Sequence, residues 1–470
     1  FGGYATPTKC VAFWRLALNS YLFGSFIMNS IITKSAAPSS VSKRLRSYIL
    51  QNILAMLGTS CYILADTFFI SAAEGSDGIT ALNLVLPLYS LIFAIGSMIG
   101  TGSATRYAIA KASGSKTYDV YFSNAIFFAV AASIIFILGG VFCPETIIRI
   151  MGADDQIAAV GTSYTRIFLV FAPCFMLNYV FTSFVRNDAD PTLAMAATLT
   201  SSFSNIFLDY LFMFPLRMGM SGAALATGLS PVISISICAA HFFTKKNTLR
   251  FIPTRPSGRR LFRSCQLGIS AFIGEMSSGI TTTVFNFLLL ELGGNTAVAA
   301  YGVVANFALV GTAVFNGIGQ GIQPLASEVY GKSNQEEKQL IIRSGTLYTA
   351  AAALFVTGAV LFFANSCVAL FNSEHSVEMA AYAVPGIRLY FLGFLFAGFN
   401  IVGTGYLSAT AHAKPAFAIA ILRGVAAITA FAFLLSRLLG IDGIWLAFPA
   451  AELCCLVLTV MFLRRDYQIN

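Results

Sequence analysis

The sequence predicts an all-α membrane protein of twelve transmembrane helices in two six-helix lobes, and three observations carry that prediction. Of the 470 residues, 57% are hydrophobic and only 10% charged, with a mean hydropathy of +0.77. A soluble domain carries about 25% charged residues because water must wet its surface, so much of this surface faces lipid. Breaks bearing Gly, Pro, Asp or basic clusters divide the chain into apolar runs of the roughly 20 residues that a spanning helix needs. The first six runs also recur, weakly but in order, in the last six.

Taken in order, the spans are expected at residues 47–72, 80–105, 119–143, 158–184, 191–214, 219–243, 261–290, 297–325, 340–365, 378–408, 415–437 and 441–463. The longest polar break, residues 244–263, is the expected linker between an N-lobe over 44–243 and a C-lobe over 264–470. Residues 1–43 form an N-terminal extension that fits poorly. Residues 16–32 are apolar enough to enter a membrane, and Lys9 and Arg15 before them with Ser35-Ala36-Ala37 after them resemble a signal peptide. Either reading conflicts with the side on which the other spans place the N-terminus, so residues 1–27 are expected to lie outside the working fold. N-terminal sequencing of the native protein checks this.

Orientation follows from Lys and Arg, which are retained on the cytoplasmic side near span ends. Alternate breaks hold Lys34, Lys43, Arg44 and Arg46; Arg106, Lys111 and Lys116; Arg186; the basic run from Lys245 to Arg263; Lys332, Lys338 and Arg343; Lys414; and Arg464 and Arg465. The opposite breaks hold only Arg149, Arg217 and Arg437, with Arg166 and Arg388 early in spans four and ten. Both termini are therefore expected in the cytoplasm of a multi-pass protein in a bacterial inner membrane. The net charge of +9 then belongs to the surface facing the inner leaflet, and no nucleic-acid partner is needed to explain it. The nine cysteines are odd in number and lack metal or disulfide spacing, and only three histidines are present. Metal or thiol catalysis is not expected, nor is any cofactor.

The repeat is visible residue by residue. Ala81, Gly100 and Gly102 fall on Ala300, Gly319 and Gly321; Gly219, Gly222, Leu225 and Ala226 on Gly440, Gly443, Leu446 and Ala447; Arg166 on Arg388; Pro191 on Pro415. An even number of spans per half makes the repeats parallel, related by a pseudo-two-fold axis along the membrane normal. A duplicated bundle of this kind is the architecture of a carrier whose halves rock about a site between them.

Three segments resemble a known family. Leu64-Ala65-Asp66-Thr67-Phe68-Phe69 in span one, Val185-Arg186-Asn187-Asp188-Ala189-Asp190-Pro191 before span five, and Asn205-Ile206-Phe207-Leu208-Asp209 within it resemble the multidrug and toxic compound extrusion (MATE) family, in its DinF-like and MepA-like bacterial branch. The resemblance covers about residues 44–465. It implies two six-helix lobes that export amphipathic organic cations in exchange for Na+ or H+, without specifying which ion. The family often has Gly in the segment before span five where this chain has Ala189 and Asp190, a change not expected to alter function.

Acids inside spans cost about 2.5–3.5 kcal/mol on insertion scales, so each needs a reason. Four lie well inside: Asp66, Asp209, Glu275 and Glu452. Asp66 has no basic neighbour at helical spacing. An unpartnered acid there either carries a proton or holds a cation, unless neighbouring helices supply hydrogen bonds and its role is structural. The resemblance places the coupling-ion site at Asp66 and implies Thr227 of span six in the same cluster. Asn205 and Asp209, four apart, share a helix face and offer an amide and a carboxylate to one cation. If Na+ is the coupling ion, Asp66, Asn205, Asp209 and Thr227 are its expected ligands; the alternative is an interhelical hydrogen-bond cluster. The position related to Asp66 in the second half is Asn286, which confines the charge to one lobe.

Glu275 in span seven is expected to attract cationic substrates, with Ser278, Asn286, Phe272 and Met276 beside it. Other branches carry their span-seven acid nearer residue 278. Glu452 is expected to pair with Arg423 of span eleven as a structural ion pair. The alternative function is a flippase for lipid-linked oligosaccharides, which should show fourteen spans and clustered cavity arginines. A membrane enzyme using Asp154-Asp155 as a metal-binding pair is a third class, although such a pair more often caps a helix. A non-enzymatic xenobiotic antiporter of the antibiotic-resistance type, monomeric and surrounded by membrane lipids, is the expectation.

Overall fold

The computed structural model describes residues 40–253, 255–371 and 376–468, side chains from 466 onward excepted. Of its two compact units, the second, Leu45–Asn470, holds nearly all of the bundle. The extension expected over residues 1–43 falls almost wholly outside the described residues.

All regular structure among the described residues is helical. Ser40–Ala112 contains spans one and two, broken at Gly75 (φ 65°, ψ −145°); Gly258–Lys332 contains spans seven and eight, broken at Gly294 (φ 64°, ψ −161°). These left-handed conformations cost a residue with a Cβ about 1–2 kcal/mol, which is why glycine occupies both. Spans three, six, nine, eleven and twelve are Val120–Phe142, Gly219–Phe243, Gln335–Phe362, Ala413–Leu439 and Ile441–Arg465. Span four bends by 44° between Asp155–Val170 and Ala172–Asn187, and span ten by 48° between Val377–Phe391 and Phe394–Ala409. Pro173 at the start of the second half of span four lacks the N–H that would continue the ladder. Span five, Pro191–Met213, is long enough to cross but too polar to be singled out by hydropathy; it completes the twelve.

The duplication is present in the backbone itself. Left-handed residues pair as Gly75 with Gly294, Gly114 with Ser333, Ala189 with Ala411 and Gly219 with Gly440, at the same spacings as the sequence repeat. The bends of spans four and ten match in the same way.

The lobes meet where small residues let backbones touch. A Cβ at Gly268 of span seven would lie 2.0 Å from the Met98 carbonyl oxygen of span two, and one at Gly102 would lie 2.1 Å from that of Ser264. The related pair of helices does the same: Gly317 and Gly321 of span eight sit against Ile53 and Ile49 of span one, where a Cβ would come within 2.5 and 2.6 Å of their Cα atoms. Gln323 donates to Thr105 Oγ1 across this seam at 2.9 Å, and Arg106 Nε donates to the Arg263 carbonyl at 3.3 Å. All these contacts lie at the Lys- and Arg-rich end. Farther along the approach is less tight: a Cβ at Gly279 would lie in ordinary contact with Ser90 at 3.9 Å, and one at Gly274 would meet nothing within 4 Å. The closest backbone approaches between the lobes are thus at the basic end. Exposed Ile135, Phe142, Leu354 and Val457 belong to the outer apolar belt that a bilayer covers.

Candidate functional site

Span five turns the face carrying Asn205 and Asp209 inward, and neither residue is exposed at all (0%). Asp66 of span one and Thr227 of span six are likewise buried. Helical spacing alone puts Asn205 and Asp209 on one face, and span six packs along span five, where a Cβ at Gly222 would lie 2.9 Å from that of Phe212. Gly58 admits Leu199 of span five against span one. What distinguishes this cluster is its unmet polarity. Asp66 Oδ1, both Asp209 carboxyl oxygens, both Asn205 amide atoms and Thr227 Oγ1 are sealed from solvent with no hydrogen-bond partner among the described residues. Each such group costs about 1–3 kcal/mol, and folded proteins leave few of them. The Asp66 and Asp209 carboxyls are close enough to feel each other's charge, and the phenols of Tyr62, Tyr89 and Tyr164 stand in the field of both. Tyr89 and Tyr164 hydrogen-bond to each other, and Tyr89 stacks on Phe168 with centroids 3.7 Å apart.

The C-lobe acid is in the opposite condition. Glu452 Oε1 accepts from Arg423 Nε at 2.6 Å, and its Oε2 accepts from Asn400 Nδ2 at 2.8 Å. Thr459 in turn donates to Asn400 Oδ1 at 2.7 Å. Arg423 projects from a π-helical turn, Leu422–Ala427, inside span eleven, a local widening often found at functional positions. The pair expected from the sequence is therefore present and fully partnered.

Glu275 is half-buried and accepts a hydrogen bond from Tyr179 of the opposite lobe at 3.2 Å. Phe272, Met276 and Asn286 on the same span are half-buried and Ser278 exposed. Asp154 caps a helix, accepting from the Ile157 N–H at 2.8 Å, while Asp155 pairs with Arg149 at 2.7 Å on the surface. No group of three or more His, Cys, Asp or Glu side chains converges on a metal position among the described residues.

Two features escaped the sequence reading. Arg186 is buried and donates to Asn52 Oδ1 at 2.9 Å and to Gln320 of the other lobe, making it a seam residue. Its place in the segment before span five marked the family and gave no hint of a partner 134 residues away. Asp188 gathers Lys111 at 2.6 Å, Tyr107 at 2.7 Å, His241 at 2.9 Å and the Thr248 N–H at 2.7 Å. Burial alone would push its carboxyl up, but the bonds from His241, Lys111 and Thr248 overcome that and hold it well below the usual carboxylate range. It ties the start of the inter-lobe segment to the N-lobe.

The family model described as MatE matches residues 52–211 and 271–434. Multidrug export protein MepA of Staphylococcus aureus (strain MRSA252) is 27% identical over 436 residues, spanning 91% of this chain and 95% of that protein. The protein of the same name from Staphylococcus saprophyticus is 26% identical over 438 residues, with 91% and 95% covered. A MATE protein solved in complex with MaL6 has the same fold, with a TM-score of 0.85 at 20% identity over 92% of this chain and 97% of that one. The outward-facing conformation of a multidrug resistance MATE family transporter of the MOP superfamily gives 0.82 at 20% identity, with 92% and 99% covered. With both lobes matched and the relatives aligned nearly from end to end, the chain belongs to the MatE family.

Proposed function

We propose that the chain is a secondary active antiporter that exports amphipathic organic cations in exchange for H+ or Na+ by alternating access. The observation that carries this reading is the set of buried, unpartnered oxygens on Asp66, Asn205, Asp209 and Thr227. Two neighbouring carboxylates in a medium of low dielectric repel each other, and a proton or a cation between them removes the repulsion. The donors are all hard oxygens, two carboxylates with an amide and a hydroxyl, a set that fits Na+ as well as it relays a proton. Glu275, with Phe272, Met276, Ser278 and Asn286, is the proposed substrate-binding face. The relatives' name, multidrug export protein, supports the substrate class and a carrier in place of an enzyme. A lipid-linked oligosaccharide flippase is not favoured: Arg166 and Arg388 are exposed and Arg423 is engaged by Glu452.

The basic end is the proposed cytoplasmic side of a bacterial cell membrane. Impermeant maleimide added to intact cells should then modify Cys143, which is exposed at the other end. The decisive experiment is ethidium efflux from proteoliposomes under an imposed Na+ or pH gradient, one at a time. One gradient should drive wild-type efflux, and Asp66→Asn should abolish it while inserting normally. Full efflux by that variant under the driving gradient would sink the assignment.

A further inference from the structure

A groove on the C-lobe takes no part in either proposed site. Spans nine, ten and twelve leave a cavity of about 560 Å³ lined by Ile342, Thr346, Phe399, Leu456, Val460 and Arg464, among others. It continues inward past Gly345, Val402 and Tyr406 as a recess of about 40 Å³. Its walls are mainly apolar, with Thr346 and Thr459 among them. Leu347, Val457, Val460 and Met461 around it are exposed, so its mouth opens onto the apolar belt, where acyl chains and not water are the neighbours.

One end of the groove is charged. Arg464 lines it, Arg343 follows Ile342 on span nine, and Arg465 is the next residue on span twelve; all three are exposed. No ion pair ties any of them to a described residue, and no acid lines the groove. Long basic side chains at a span end reach toward the headgroup layer while their stems stay in the apolar region. We propose that this groove binds one anionic phospholipid, an acyl chain lying along Phe399, Leu456 and Val460 and the phosphate held between Arg343 of span nine and Arg464 of span twelve. The bound chain would brace the outer side of Thr459, whose hydroxyl closes the Asn400–Glu452–Arg423 network.

The test is titration of the purified full chain in detergent with phosphatidylglycerol or phosphatidylcholine of identical acyl chains, read by native mass spectrometry. Each arginine beside an anionic headgroup is worth about fivefold in affinity. Phosphatidylglycerol should therefore bind at least tenfold more tightly than phosphatidylcholine. Arg464→Gln and Arg343→Gln should each remove about fivefold of that preference. Arg259→Gln, exposed at the same end but away from the groove, should change nothing. Thr346→Trp, or Val460→Trp if the first does not yield a monodisperse protein, should fill the groove and abolish binding of both lipids. Equal binding of the two lipids, an Arg259→Gln loss matching that of Arg464→Gln, or lipid binding that survives the tryptophan would each overturn the proposal. So would glycerol phosphate alone binding as well as the lipid, which would make the site one for free phosphate.

Discussion

Replacing Gly268 with alanine tests the seam directly. The new Cβ would lie 2.0 Å from the Met98 carbonyl oxygen, where ordinary contact begins at 3.4 Å, so spans two and seven must part by more than 1 Å. Neither neighbour can yield alone, since both atoms belong to helix backbone. Overpacking of this kind costs about 1–3 kcal/mol, which shifts the closed seam toward an open one by roughly 5- to 150-fold. Cys265, half-buried and packed against the N-lobe core beside Ser264, reports the change. Alkylation followed peptide by peptide by mass spectrometry should show Cys265 reacting faster in Gly268→Ala by a factor within that range, with Cys238 as an internal reference because it is buried inside the N-lobe. Gly302→Ala is the control, because a Cβ there meets nothing within 4 Å. Equal Cys265 rates in Gly268→Ala, Gly302→Ala and wild type would show that the seam does not depend on this backbone contact and would refute the reasoning.

Other outcomes follow from single residues. Glu452→Gln leaves the Arg423 guanidinium, 21% exposed, without its counter-charge and should destabilise the chain by about 1–3 kcal/mol, whereas Asp66→Asn removes an unpartnered acid and should not; thermal unfolding in detergent separates the two. Ala189 and Ala411 both sit at positive φ, 64° and 62°, so Ala189→Gly and Ala411→Gly should each stabilise by about 1 kcal/mol, and a drop in stability would refute the strain argument. Asp188 is held below the usual carboxylate range. Its folded-state pKa is depressed, so its stabilisation is complete above the unfolded value near pH 4 and is lost as pH falls below that toward the folded value. Denaturant unfolding between pH 7 and pH 3 should lose stability more steeply in wild type than in Asp188→Asn; parallel profiles would exclude Asp188 as the cause.

The spans and their duplication were legible because lipid imposes them: an uninterrupted apolar run of sufficient length has few other uses. Span five was legible mainly through its neighbours, since Asn205, Asp209 and its hydroxyl residues lower its own signal. Of the seam glycines, Gly102 and Gly321 were readable as repeat positions only, and Gly268 and Gly317 carried no signal. Gly102 and Gly321 have the same flanks as any small residue in an apolar run, and what makes them contacts is a helix of the other lobe that sequence spacing does not specify. Asp188 was quoted for its motif, yet its partners Lys111 and His241 lie 77 and 53 residues away. The most informative difference concerns two acids that look alike in sequence. Asp66 and Glu452 are each a carboxyl in an apolar run, and the cost of burial argues equally for both. Only the packing separates them: Glu452 has a guanidinium and an amide within reach, while Asp66 Oδ1 and both Asp209 oxygens have none. An acid whose charge is already matched by its own fold gains little from an incoming cation, and one left unmatched gains the whole of the missing interaction. The asymmetry between lobes is what supports the proposal of ion coupling in the N-lobe, and an Asp66→Asn variant that lost coupling while Glu452→Gln kept it in a folded protein would be its direct expression.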